Sequence, residues 1–131
     1  MSTIAGYFIA PESNAAIRCV IPRAGGESLK ALQALVDGYV EVVNSSDDTV
    51  SFWINEEGKL RGLPINTLAT AFWWAVCPEA VNVDTLRGNV VILGGTDKHG
   101  GTLPVSADVD RLIADTVYVD DEDEDYAEDD E

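Results

Sequence analysis

Asn55, Glu57, Lys59, Arg61 and Asn66 fall within the twelve residues NEEGKLRGLPIN, two amides set among charges of both signs. Gathered at one end of a sheet, such residues make a polar rim that could hold a small polar ligand or a partner's loop. The stretch has no serine, cysteine or histidine, so it offers neither a nucleophile nor a base and points to binding rather than to a reaction. A second reading of the same residues is geometric. Asn55 can open a turn through its side chain, Gly58 tolerates a positive φ, and Glu56, Glu57 and Lys59 are then simply solvated.

Three tryptophans surround this elbow. Trp53 lies opposite Phe52 and Ile54 on a strand-like run, and Trp73 and Trp74 are adjacent on a helix-like one. Counting 100° per residue from Leu68, Phe72, Ala75 and Val76 cluster on one side, while Trp73 and Trp74 point about 140° and 240° away. One stripe cannot bury both. Either the helix is covered on two sides, with Tyr7, Phe8 and Ile9 as candidates for the cover, or an indole stays at the surface as an anchor for another subunit or a host protein. With one sheet face open, Trp53 and a helix tryptophan would form the binding patch.

Other candidates carry less. GGTDKHGG (residues 94–101) lacks the spacing and the terminal Lys-Ser/Thr of a phosphate-binding loop, and reads as a turn between two extended runs. His99, the sole histidine, could touch a metal together with Asp97, but two ligands do not make a site, and no metal or cofactor is expected. Cys19 and Cys77 are far apart and form no CxxC pair; both read as reduced and structural.

The chain carries 24 acidic and 8 basic residues, and ten of the acids lie in the final DDEDEDYAEDDE, residues 120–131. The remainder holds 14 acids and 8 bases, six net negative charges. It has no basic surface to neutralise phosphates, which argues against direct nucleic-acid binding, and an acidic partner is disfavoured too. The carboxylates of the tail repel one another, so residues 119–131 are expected to be disordered and solubilising. In a sharper reading, Asp121, Glu122, Asp123, Glu124 and Asp125 occupy a basic groove built for nucleic acid, with Tyr126 stacking where a base would. No run approaches the roughly 20 apolar residues of a membrane span, and the N-terminus lacks the basic start of a signal peptide, so a cytoplasmic location is expected, without membrane contact.

The elements that position these residues can be read from periodicity. AAIRCVIP (15–22) alternates as a strand, ESLKALQALVDG (27–38) is a helix with Leu29, Leu32, Leu35 and Val36 inward and a left-handed cap at Gly38, and YVEVVN with TVSFWIN forms a hairpin. Asn66 caps a helix from Thr67 to Val76 that Cys77-Pro78 ends, RGNVVILGG is a further strand, and Ser106 caps a last helix with Val109, Leu112 and Ile113 inward. The expected fold is α+β: a small, mainly antiparallel sheet with two to three helices in one domain. Its expected organisation is an N-terminal arm (1–14), a globular body (15–118) and the acidic tail (119–131).

Three segments, LKALQALVDGYVEVV, WINEEGKLRGLPINTLAT and RGNVVILGG, resemble a family of small phage, plasmid and actinobacterial proteins known as domain of unknown function 3846. The resemblance runs from about Ile17 to Gly95, with NEEGKLRGLPIN its most specific part. It implies a mobile-element accessory protein in bacterial cytoplasm and supplies no catalytic residue.

Three functions are therefore expected in competition. The first is a non-catalytic accessory protein that binds and modulates a host protein through Trp53, Trp73 or Trp74 and the tail, with self-association as another use of the same patch. The second is a nucleic-acid mimic acting through the tail. The third is a small-ligand binder at Asn55–Asn66, which requires a concave pocket with Lys59 or Arg61 turned into it.

Overall fold

The computed structural model describes residues 3–13, 15–23, 25–99 and 101–115. Five strands, Thr3–Ile9 (β1), Ile17–Pro22 (β2), Val40–Asn44 (β3), Val50–Asn55 (β4) and Val90–Gly94 (β5), form one sheet in the order β2-β1-β5-β4-β3. Every pairing is antiparallel. Helix Gly25–Val36 (α1) lies on one face; helix Thr67–Val76 (α2) and a helical run through residues 107–115 (α3) lie on the other. The chain is thus a small α+β domain, a sheet between two helical layers.

This layering explains the uninterrupted apolar run of β5, whose five residues are all buried. Val91 and Leu93 pack with Leu32 and Val36 of α1, while Val90 and Ile92 pack with Phe72 and Trp73 of α2 and Val109 and Ile113 of α3. A strand covered on both faces has no reason to alternate polar and apolar residues.

The same physics corrects the expected N-terminal arm. Residues 3–9 are an interior strand, paired with β2 from Thr3↔Pro22 to Phe8↔Ile17 and with β5 from Tyr7↔Ile92 to Ile9↔Val90. Ile4 and Phe8 face α1, and Tyr7 and Ile9 face α2 and α3, so apolar residues on both faces obscure the period of two. Tyr7 also ties the layers together. Its hydroxyl donates to Asp110 Oδ1 at 2.8 Å, and Arg18 Nη1 donates to the Tyr7 oxygen at 3.0 Å and to Asp110 at 2.7 Å, linking β2, β1 and α3. Burial, and then the bond to Asp110, push the phenol above its ordinary pKa.

Helix α1 differs from expectation in two details. Leu29 is 48% exposed, because the inward row runs through Leu32 and Val36 and reaches Ser28, whose hydroxyl donates to the Pro22 carbonyl. At the other end the left-handed residue is Asp37, at φ 64°, and Gly38 N–H closes the cap on Gln33 O at 3.0 Å. Gly38 serves a different need: a Cβ there would lie 2.6 Å from Asn55 Nδ2.

Beyond β5 the described residues of GGTDKHGG form a turn. Gly94 N–H donates to Leu103 O and Leu103 N–H to Gly95 O, at 2.9 and 2.8 Å, and Asp97 Oδ1 accepts from the backbone of His99 and Gly101. The returning strand-like segment passes so close that a Cβ on Gly94 would run into the Pro104 carbonyl. Val105 N–H then bonds Ala5 O and Ser106 Oγ caps α3 through Val109 N–H, carrying the chain onto β1. No helix among the described residues is long and apolar enough to cross a membrane.

Candidate functional site

Two buried asparagines shape the elbow between β4 and α2. Asn55, 3% exposed, accepts from Glu57 N–H at 2.7 Å, opening the turn. Its Nδ2 donates to Val36 O and Asp37 O at 3.2 and 3.0 Å, so it also satisfies the carbonyls at the end of α1. Asn66, fully buried, caps α2 through Ala69 N–H at 3.1 Å and sends Nδ2 to Ile9 O and Gly88 O, both at 2.9 Å. The expected rim is therefore divided. Asn66 lies sealed inside the fold, where it joins α2, β1 and the approach to β5, and only part of the set lines a surface.

That surface is a groove. Turn 55–62 faces loop 81–87, and the two are bridged by Lys59 Nζ and the Asp84 carboxylate. On one side of the bridge is a cleft of about 290 Å³, with Glu41, Glu56 and Lys59 among its polar lining and Val43, Ile54, Leu60 and Leu86 as its apolar part. On the other is a second of about 420 Å³, between Lys59, Asp84, Trp74 and Val83. Thr85 and Arg87 border both. Leu60 and Val83, one on each loop, are 90% and 78% exposed and flank the bridge with aliphatic surface. Glu57 is exposed, and Arg61 turns away from the groove, donating to Asp37 O at 3.2 Å. Arg87 Nη1 donates to Leu63 O at 3.1 Å.

The hydrogen bond from Lys59 holds the Asp84 carboxyl below the usual carboxylate range, with help from Thr85 N–H and against the opposing effect of burial. A depressed carboxylate stabilises the fold above its unfolded pKa and loses that contribution as pH falls through the folded value. The pair is 64% and 41% exposed, which limits it to less than about 1 kcal/mol. Asp84→Asn should accordingly cost a few tenths of a kcal/mol at pH 7 and reduce the stability lost on acidification below about pH 4, as read from urea midpoints across pH. An unchanged acid limb would show that the bridge is not formed in solution.

The indoles are committed internally. Trp73 is buried and donates Nε1 to Asn44 O at 3.4 Å; Trp74, half-buried, donates to Asp84 O at 2.8 Å. Helix α2 is thus covered on two sides, by the sheet with Tyr7 and Ile9 and by loop 81–87. Trp53 packs on the α1 side of the sheet, its Nε1 bonded to Ser51 Oγ at 2.9 Å. Tyr126 and Asp121–Asp125 lie outside the described residues. Cys19 and Cys77 are unpaired thiols, and no group of three metal-ligating side chains occurs among the described residues.

Sequence reasoning missed one wall of this groove. Asp84, Thr85, Arg87 and Val83 come from VNVDTLRG, whose mixed charges between a helix and a strand were the available signal. Glu41, within the strand run YVEVVN, had no signal of its own.

A family model described as a domain of unknown function (DUF3846) matches residues 4–122. The match is wider than the resemblance from Ile17 to Gly95 and takes in β1, as the sheet pairing requires. No curated protein and no solved structure matches. With nearly its whole length matched, the chain belongs to the family of domain of unknown function 3846.

Proposed function

We propose that this chain is a non-catalytic binding protein whose site is the groove between turn 55–62 and loop 81–87. The observation that carries this reading is the concave surface itself, lined by Lys59 and flanked by Leu60 and Val83, which are exposed beyond any need of the core. The tryptophans favour it by contrast, since their ring N–H groups are already used within the chain. Lys59 and Asp84 face each other as an ion pair, with no serine, cysteine or histidine in either lining, so the groove suits recognition better than bond-making. The resemblance to mobile-element proteins supplies the setting: an accessory protein of a phage or plasmid that modulates a host protein in bacterial cytoplasm.

Leu60→Ser/Val83→Ser tests this, because both side chains are surface tips whose loss should shift stability by no more than about 0.5 kcal/mol. The full chain is expected to capture a bacterial protein from lysate that the double variant captures several-fold less well. Equal capture by both would remove the groove from the interaction.

A further inference from the structure

We infer that the groove receives a lysine or arginine side chain from an extended segment of a partner protein. This rests on the groove being the binding site and names the chemistry of its occupant.

Charge decides the class. Glu41 and Glu56 both line the smaller cleft, both are exposed, and neither belongs to an ion pair among the described residues. Glu41 pairs with Ile54 across the β3–β4 ladder, and Glu56 N–H bonds Tyr39 O in continuation of that register. The two glutamates are therefore diagonal neighbours on one face, about 7–8 Å apart at their backbone positions. Of the cations nearby, Lys59 is paired with Asp84, and Arg87 donates Nη1 to Leu63 O while its buried Nε has no partner among the described residues. Both glutamates are exposed whereas Arg87 is half-buried, so a cationic head is drawn to the outer part of the cleft between Glu41 and Glu56 and repelled by Arg87 from its inner part.

Shape supports the same occupant. Half-buried Val43 and Ile54 offer a long aliphatic stem an apolar bed, with exposed Leu60 at its rim. About 290 Å³ is at the lower limit of small-molecule pockets but ample for a single long side chain. β3 is the last strand in the sheet order, so its outer edge is unpaired among the described residues. An extended segment laid along that edge would present alternate side chains to the groove's face. The net charge of −16 draws such a segment in.

The experiment uses the full chain and capped pentapeptides Gly-Val-X-Val-Gly with X as lysine, arginine, norleucine or glutamate, followed by amide chemical shifts. The lysine and arginine peptides should shift residues 55–62 and 81–87 and bind about tenfold more tightly than norleucine, with glutamate weakest. Glu41→Gln/Glu56→Gln should lower lysine-peptide affinity about tenfold, whereas Glu12→Gln/Asp115→Asn, with the same charge change elsewhere, should stay within about twofold. Equal loss in both double variants would reduce the effect to the long-range field and overturn the inference. Norleucine binding at the groove as tightly as lysine would overturn the cationic class and leave the groove standing as a site. Diaminopentane binding as tightly as the lysine peptide would replace the protein segment by a small cation. Silence of the groove amides with every probe would take down the inference, while the Leu60/Val83 comparison judges the groove on its own.

Discussion

Replacing Asn66 by alanine should lower stability by about 3 kcal/mol, roughly 1 from the lost helix cap and about 1 from each of the two buried hydrogen bonds to carbonyls. Few single positions in the chain hold so much. The side chain is fully buried and joins α2 to Ile9 O on β1 and to Gly88 O ahead of β5. Against a total of about 5–15 kcal/mol for an ordinary domain, the loss should move the urea midpoint far at unchanged slope. Asn66→Asp separates the two roles. A carboxylate still caps Ala69 N–H and suits a helix N-terminus, but it sets a negative charge against the Ile9 and Gly88 carbonyl oxygens. If capping were the whole role, aspartate would be benign; it should instead cost at least as much as alanine.

Asn66 also shows how far sequence could reach. Its place one residue before a helix announced the cap, because capping is local and has a residue signature. Nothing local announced that its amide would reach back 57 positions to Ile9. The same division runs through the fold. The β3–β4 hairpin, α2 and β5 were legible because each has its own period or punctuation. β1 was not, since burial on both faces erases alternation and leaves TIAGYFI looking like a loose apolar arm. Leu29 was misplaced because a leucine repeat suggested a stripe, when the inward row passes through the half-buried Ser28, whose hydroxyl donates to a backbone carbonyl. In the groove, Lys59 was found through the elbow. Asp84 and Glu41 were not, because they meet it only after the chain has passed through a helix or back across a hairpin.

Asn55→Ala puts the elbow's two readings against each other. The substitution removes the donor to Val36 O and Asp37 O and the acceptor of Glu57 N–H, so about 2–3 kcal/mol of stability should go with it. Its effect should extend to the groove. The turn's backbone has bonds of its own, from Gly58 N–H to Asn55 O, Arg61 N–H to Glu57 O and Leu63 N–H to Gly58 O, which keep it folded as a unit. A backbone bond from Glu56 N–H to Tyr39 O ties its start to the residue ahead of β3, and just after it Leu63 O and Pro64 O accept from Arg87 Nη1 and Gly88 N–H; against α1 and across the groove it otherwise rests on the contact of Arg61 with Asp37 O and on the exposed Lys59–Asp84 bridge. Those last two are surface contacts, worth too little to replace Asn55 in holding the turn against the end of α1. Amide exchange should therefore quicken at residues 56–62, and lysine-peptide binding should weaken several-fold under conditions where the variant remains folded. Reduced stability with undiminished binding would mean that the backbone alone sets the wall, and that Asn55 acts only on α1. Loss of both would make the shape-determining turn and the site one structure, with a buried amide supplying the shape and the charges on its rim supplying the recognition.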